Sequence, residues 1–125
     1  MSRSDIVSIH VNLSDKTEGM VSRGMLDLMK KTAYLVNTSR SQTVDKEALV
    51  EKLSSGGIAG AGLDVHDPAP CPPDDPLVIL DNVIPTPWIA YQTQEALDKM
   101  LDMAVRDVVA VLQGGKPSHP VNAVS

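Results

Sequence analysis

Aromatic residues are nearly absent from this chain. Among 125 residues there is no Phe, one Trp (Trp88) and two Tyr, Tyr34 and Tyr91. A core must then be built from Leu, Val, Ile, Ala and Met, and modules that hold nucleic acid by stacking bases on aromatic rings are disfavoured. Cysteine is equally scarce. Cys71 alone excludes an internal disulfide and a Cys-cluster zinc site, and points to a reducing, cytoplasmic setting. No basic stretch interrupts a formal net charge of -5, so no nucleic-acid surface is expected. No apolar run approaches the ~18 residues of a membrane span. The opening Met1-Ser2-Arg3-Ser4-Asp5 lacks the apolar core of a secretory signal. His10, His66 and His119 lie far apart with no zinc-motif spacing, so no metal site is expected.

What is present is ordinary globular composition, 42% hydrophobic and 22% charged. The length suits one domain and leaves no room for a second sizeable core. Short β-branched runs alternate with helical stretches. Ile6–Val11 is apolar at almost every position and predicts a strand buried on both faces. Ser22–Lys31 predicts a helix, with Ser22 as N-cap and Lys30-Lys31 in the last turn. Ala33–Asn37 is the next strand. Asp45 can cap a helix carrying Ala48, Leu49 and Leu53, and Gly56-Gly57 ends it. Ile58–Val65 reads as a third strand. Pro68–Pro76 holds five prolines and reads as a loop. Asn82–Pro85 is a short strand whose proline belongs at a sheet edge or strand end. The longest helix runs from about Thr93 to Gln113, with Leu97, Leu101, Ala104, Val108 and Leu112 in one stripe. The tail Lys116–Ser125 is expected to lack regular structure.

This alternation is the signature of an α/β protein with a mostly parallel sheet, of about four strands and three helices. Ligands of such sheets bind at the carboxyl ends of the strands. Those ends are His10-Val11-Asn12, Thr38-Ser39-Arg40, Asp64-Val65-His66 and Thr86-Pro87-Trp88. Arg40 can hold a carboxylate in a bidentate fork, or pair with Asp45 or Asp64. Asp64, the one charge in Ile58–Val65, can accept a hydrogen bond from a ligand amide or cap a turn. Gly60-Ala61-Gly62 is not a dinucleotide fingerprint. A third glycine would fall at Val65, and no helix follows at once. No segment supplies a strand, a tight glycine turn and a helix N-terminus in that order.

Taken in order, these segments resemble the D-isomer-specific 2-hydroxyacid dehydrogenases. The matching text includes Asp5–Val11, Leu13 and Thr17–Gly19, Met29-Lys30, Tyr34–Arg40 and Val44-Asp45. Ala59–Val65, Asp81–Val83, Thr86-Pro87 and Ile89-Ala90 complete it. Each piece is moderately specific, and their order and spacing are highly specific. The resemblance implies part of a doubly wound, Rossmann-type domain, the half that flanks the nicotinamide of NAD or NADP. Residues 1–115 would form that half and 116–125 a tail. The half with the Gly-rich turn and the ribose-binding acid has no counterpart in these residues.

By the same resemblance, Thr38, Ser39 and Arg40 line the cofactor. Arg40 also binds the carboxylate of a 2-hydroxy or 2-keto acid. Asp64 contacts the nicotinamide amide, and Val11 and Thr17 lie near the cofactor's ribose and phosphates. Four positions depart from the family pattern. Asn12 replaces a Pro and Ser41 a Gly. Ala69 stands where the family has the Glu that orients the catalytic His, and Trp88 stands where it has that His. His66 and Asp67 lie nearby, at no matching position. An indole N–H does not titrate, so a partial dehydrogenase domain, inactive alone, is expected. A non-catalytic interaction module and a split subunit of altered chemistry are the rival readings. The Ile6–Val11 strand is expected to be an exposed edge that pairs with another copy or a partner chain.

Overall fold

The computed structural model describes residues 1–122. Two compact units divide the chain, Met1–Ala90 and the residues from Tyr91 onward. The first contains β1 (Ile6–Ile9), α1 (Arg23–Asp27), β2 (Tyr34–Asn37), α2 (Lys46–Ser54), β3 (Gly60–Leu63), α3 (Pro76–Ile79) and β4 (Val83–Pro85). The strands form one parallel sheet in the order β1-β2-β3-β4. This is the α/β, Rossmann-type arrangement expected from the sequence, with proline-bearing β4 at one edge.

Each crossover steps to the next strand in the same direction. Right-handed crossovers that step one way place all their helices on the same face. Leu26 of α1, Ala48, Leu49 and Leu53 of α2, and Leu77 of α3 therefore share one core with alternate strand residues. Those strand residues are Ile9, Leu35, Ala61, Leu63 and Val83. Full burial of a side chain such as Leu35 contributes about 1.5–3 kcal/mol. Ile6 (65% exposed), Tyr34 (52%) and Ile84 (72%) occupy the other face. The expectation that Ile6–Val11 is buried on both faces is thus corrected. The strand ends at Ile9, and its residues alternate between core and open face.

Two helical expectations also change. The helix predicted over Ser22–Lys31 spans only Arg23–Asp27, with Ser22 as N-cap but making no side-chain cap bond. Its end tightens into three-residue bonds, Leu28 N–H to Met25 O (3.2 Å) and Met29 N–H to Leu26 O (3.1 Å). Lys30 therefore lies beyond the helix and pairs with Asp5. A short helix, α3, starts at the last residue of the predicted Pro68–Pro76 loop, making four α-helices rather than three among the described residues. Pro76 is at its first turn, where a missing N–H costs nothing, and Asp75 caps it by accepting from Leu77 N–H at 2.9 Å. The cap on α2 is as expected: Asp45 accepts from Ala48 N–H at 3.0 Å. Gly56, at φ +66, follows the helix in the left-handed conformation.

The second unit contains α4 (Gln94–Leu112), capped by Thr93 and bearing no buried residue. Gly114, at φ +76, follows its end. Residues 116–122 contain neither helix nor strand. Asp107 accepts from Ser118 N–H at 2.8 Å. The expected irregular tail extends to Ser125, and its last three positions lie outside the described residues. No helix among the described residues is long and apolar enough to cross a membrane.

Gly60 is a point of close approach. A Cβ there would lie 2.6 Å from the Asn82 carbonyl oxygen and 3.2 Å from the Tyr34 ring, whereas one at Gly62 would meet nothing within 4 Å. Gly60→Ala is expected to cost about 1–3 kcal/mol, because the β3–β4 backbone must shift. Gly62→Ala should cause no loss. Urea unfolding midpoints of the two variants check this contrast.

Candidate functional site

The carboxyl ends of the strands meet at two hollows that share Arg40. One, of about 430 Å³, is lined by His10, Val11, Asn12, Leu13, Thr38, Ser39 and Arg40. The other, of about 570 Å³, joins Arg40 and Asp64 to His66, Ala69, Cys71 and Trp88, among others. The structure thus brings Val11, Thr38, Ser39 and Arg40 together on one side and Arg40 with Asp64 on the other. Thr17 lines neither hollow. Its hydroxyl donates to Asn12 O at 2.7 Å and accepts from Ser14 N–H at 2.8 Å, closing the loop after β1.

Asn37 shapes the turn that carries Arg40. It is buried at the end of β2. Its Oδ1 accepts from Ser39 N–H (3.0 Å) and Ser39 O–H (2.9 Å), and its Nδ2 donates to Arg40 O (2.9 Å). The signal for this role was a polar amide at the end of an otherwise apolar strand. Arg40 pairs with neither Asp45 nor Asp64. Nη1 donates to Ser39 O at 2.6 Å, and the guanidinium lies over the Trp88 ring, 5.5 Å from its centroid. Such a contact contributes about 0.5–1 kcal/mol at an exposed site.

Asp64 is buried, and its carboxylate fastens the turn after β4. Oδ1 accepts from Thr86 O–H (2.6 Å) and Ile89 N–H (2.8 Å), and Oδ2 from Ala90 N–H (3.0 Å). Its backbone carbonyl accepts from Trp88 N–H at 3.0 Å. Of the two readings left open for Asp64, turn capping is the one the structure displays. A carboxylate has about four lone-pair sites, so Oδ2 retains one for a further donor. Burial pushes the Asp64 pKa up, but the bonds from Thr86, Ala90 and Ile89 outweigh it and hold the group below the ordinary value of 3.8. Trp88 adopts φ +57 within this turn. A bulky side chain in that region costs about 1–3 kcal/mol and persists only where its surroundings impose it.

His66 Nε2 lies 3.0 Å from Thr86 O, which assigns the ring proton to Nε2. Sequence reasoning missed Gln42, Pro70 and Val78 in the larger hollow. No periodic signal marks them, because two come from separate connections and the third from the short α3. Among the described residues no group of three or more His, Cys, Asp or Glu could hold a metal ion.

Residues 1–90 match the sequence model described as D-isomer specific 2-hydroxyacid dehydrogenase, NAD binding domain. The chain belongs to this family. A glyoxylate reductase of Thermofilum pendens is 49% identical over 122 residues, covering 98% of this chain and 36% of that protein. Among solved structures, D-lactate dehydrogenase with NAD+ from Lactobacillus jensenii aligns with TM-score 0.84 at 34% identity. It covers 98% of this chain and 41% of that one. An acyclic imino acid reductase in complex with NADPH and D-Arg aligns with TM-score 0.85 at 34% identity, covering 100% and 38%. The chain spans about a third of the length of these curated relatives. Its family domain is an NAD-binding one, and the two solved structures named here hold NAD+ and NADPH.

Because the folded pKa of Asp64 is depressed, its stabilisation is present above the ordinary value of 3.8 and is lost as pH falls through the lower folded value. Asp64→Asn at neutral pH is expected to cost about 2 kcal/mol, since an amide cannot accept from all three donors. Urea unfolding of both proteins across the acid range should show the gap narrowing once the pH falls below 3.8.

Proposed function

We propose that this chain forms the nicotinamide-side half of the cofactor domain of a 2-hydroxyacid dehydrogenase, and that by itself it does not reduce 2-keto acids. Residues 1–115 are assigned to that half and 116–125 to a tail. The observation that carries the reading is Trp88 at the end of β4, over Arg40, where the resemblance expects a titrating His. Ala69 likewise replaces the expected Glu. Bound NAD(P)H would supply the hydride. Val11, Thr38, Ser39 and Arg40 would flank the nicotinamide and its ribose, and the spare site on Asp64 Oδ2 suits the carboxamide. Arg40 would hold the carboxylate of the 2-hydroxy or 2-keto acid. Thr17 would act on the ribose–phosphate side only through the loop that it closes. The residues fit the nicotinamide end. They contain no strand–glycine turn–helix to cradle the pyrophosphate, so affinity should be weak.

The proton step is where this chain falls short. Hydride addition leaves an alkoxide that needs a positioned acid, and losing one typically costs about 10²–10⁴ in rate. Neither Trp88 nor Ala69 can donate a proton, and the proton on His66 Nε2 is directed at Thr86 O. A cytoplasmic setting fits the unpaired Cys71.

A second reading is favoured by the sheet itself. β1 is an edge strand, with Ile6 exposed in it and Tyr34 exposed on the neighbouring β2. Such an edge can pair with another copy or with a partner chain. The interaction module and the split subunit both rest on it.

Calorimetry should give NADH a dissociation constant weaker than about 1 mM for the chain alone. Micromolar affinity would contradict the reading. Light scattering should show concentration-dependent oligomers, and a monomer at high concentration would remove pairing of the edge with another copy. In a chimera supplying the other portions of a related dehydrogenase, Trp88→His should raise keto-acid reduction. Adding Ala69→Glu should raise it further, because a carboxylate fixes the imidazole tautomer. A native chimera already active, with no gain from Trp88→His, would favour altered chemistry instead.

A further inference from the structure

One connection of the fold is held by charge where its neighbours are held by burial. Residues 67–74, between β3 and α3, include no buried residue, and only Cys71 and Pro72 are half-buried. Four of these eight residues are proline, so the segment has few N–H groups with which to bond the rest. Among the described residues, two side chains supply the hydrogen bonds that tie it down. Gln42 Nε2 donates to Asp67 Oδ2 at 3.0 Å, and Lys46 Nζ donates to Asp67 O at 3.1 Å. Lys46 also pairs with Asp75 Oδ2 at 2.5 Å. One ammonium at the start of α2 thus holds both ends of the segment.

Asp75 is the buried end. Its Oδ1 accepts from Leu77 N–H at 2.9 Å as the cap of α3, which leaves Oδ2 to Lys46. Burial pushes its pKa up, but the bonds from Lys46 and Leu77 outweigh it and hold the group below the ordinary value of 3.8. Removing the one cation of such a carboxylate costs far more than breaking an exposed pair. The same segment borders two spaces. Asp67 and Asp75 line a cavity of about 90 Å³ together with Leu49, Leu63 and Leu77, whereas Ala69, Pro70 and Cys71 line the larger hollow. Ser41, Gln42, Val65 and His66 line both, so the two spaces adjoin.

We propose that residues 67–75 form a strap with Lys46 as its latch, and that releasing the latch opens the strap locally and joins the smaller cavity to the larger hollow. Segments with few buried apolar contacts open at the lowest free energies in a fold, and this one buries no residue before Asp75. Its four prolines fix their φ angles, so the freed strap moves as a stiff piece between its attachments to β3 and α3. The device belongs to the fold and stands whether or not the chain is a cofactor half.

Cys71, the chain's one cysteine, lies within the strap, so its reaction with N-ethylmaleimide reports the open state. Burial, and then neighbouring Asp75, push its thiol up, so each rate is divided by that variant's thiolate fraction from ultraviolet titration. The full chain should react at least roughly tenfold slower than the same chain unfolded in urea, because reaction tracks the open population. Lys46→Met should react roughly tenfold faster than native, and so should Asp75→Asn, which keeps the α3 cap. The double variant should be no faster than Lys46→Met, since both changes remove one ion pair. Lys46→Arg, which keeps that pair, should stay within about twofold of native. Low urea should change the Lys46→Met rate little, as a local opening exposes little surface. In that variant the methyls of Leu49 and Leu77 should show microsecond-to-millisecond exchange in relaxation dispersion, and those of Leu26, outside the cavity, should not. A native rate equal to that of the unfolded chain, or no gain in Lys46→Met or Asp75→Asn, overturns the proposal. So does a double variant faster than Lys46→Met, an equal gain in Lys46→Arg, a rate rising with urea as steeply as global unfolding, or flat Leu49 and Leu77 dispersion profiles.

Discussion

The buried carboxylate of Asp64 holds together two parts of the chain that no strand pairing joins at that point. β3 ends at Leu63 and β4 at Pro85, and beyond them the backbone would be free to diverge. Three donors from Thr86, Ile89 and Ala90 converge on one side chain, and its own carbonyl takes the Trp88 N–H. The turn so formed holds Trp88 in a backbone conformation it would not otherwise adopt, with its ring against Arg40. Arg40 is in turn placed by Asn37, whose amide satisfies the donors and carbonyl of the preceding turn. Two buried polar residues, one at the end of β2 and one just past β3, therefore define the geometry of the whole upper surface. Both are costly to bury without partners, and every side-chain oxygen and nitrogen of the two has at least one, which is the condition under which such networks specify a single arrangement.

Most of the architecture was legible in the sequence because its elements carry local signals. Asp45 before a helical run and Gly56 after it mark α2 by capping chemistry alone. The proline in β4 implied a sheet edge or a strand end, and Pro85 is the last residue of an edge strand. α3 was hidden among prolines, although Asp75-Pro76 is itself a helix start. The one-sided sheet was hidden for a different reason. Hydrophobicity in Ile6, Tyr34 and Ile84 signals a surface to be covered, but not whether the covering lies within these residues.

The site was legible by position more than by role. Strand ends identified Val11, Thr38, Ser39, Arg40 and Asp64 as the places for chemistry, and the structure gathers them around two hollows with Arg40 common to both. Thr17 is apart from them because its hydroxyl is spent on its own loop. What spacing could not reveal is competition for the same atoms. Asp64 has room for a ligand amide only at the one lone pair its turn leaves spare. Among the described residues Arg40 forms no ion pair, while Asp45 caps a helix and Asp64 caps a turn.

The parallel sheet has a kinetic corollary. Between Ile6 and Tyr34, between Tyr34 and Gly60, and between Ala61 and Val83 the chain passes through a helix and its loops before a pair can form. No hairpin exists to nucleate any ladder, so each strand waits on a long loop closure. Until α1 and α2 have condensed onto the strands, Ile9, Leu35 and Leu63 are exposed together on unpaired segments. For a chain like this one, yield on refolding would be governed less by final stability than by dilution and by the speed of those first closures.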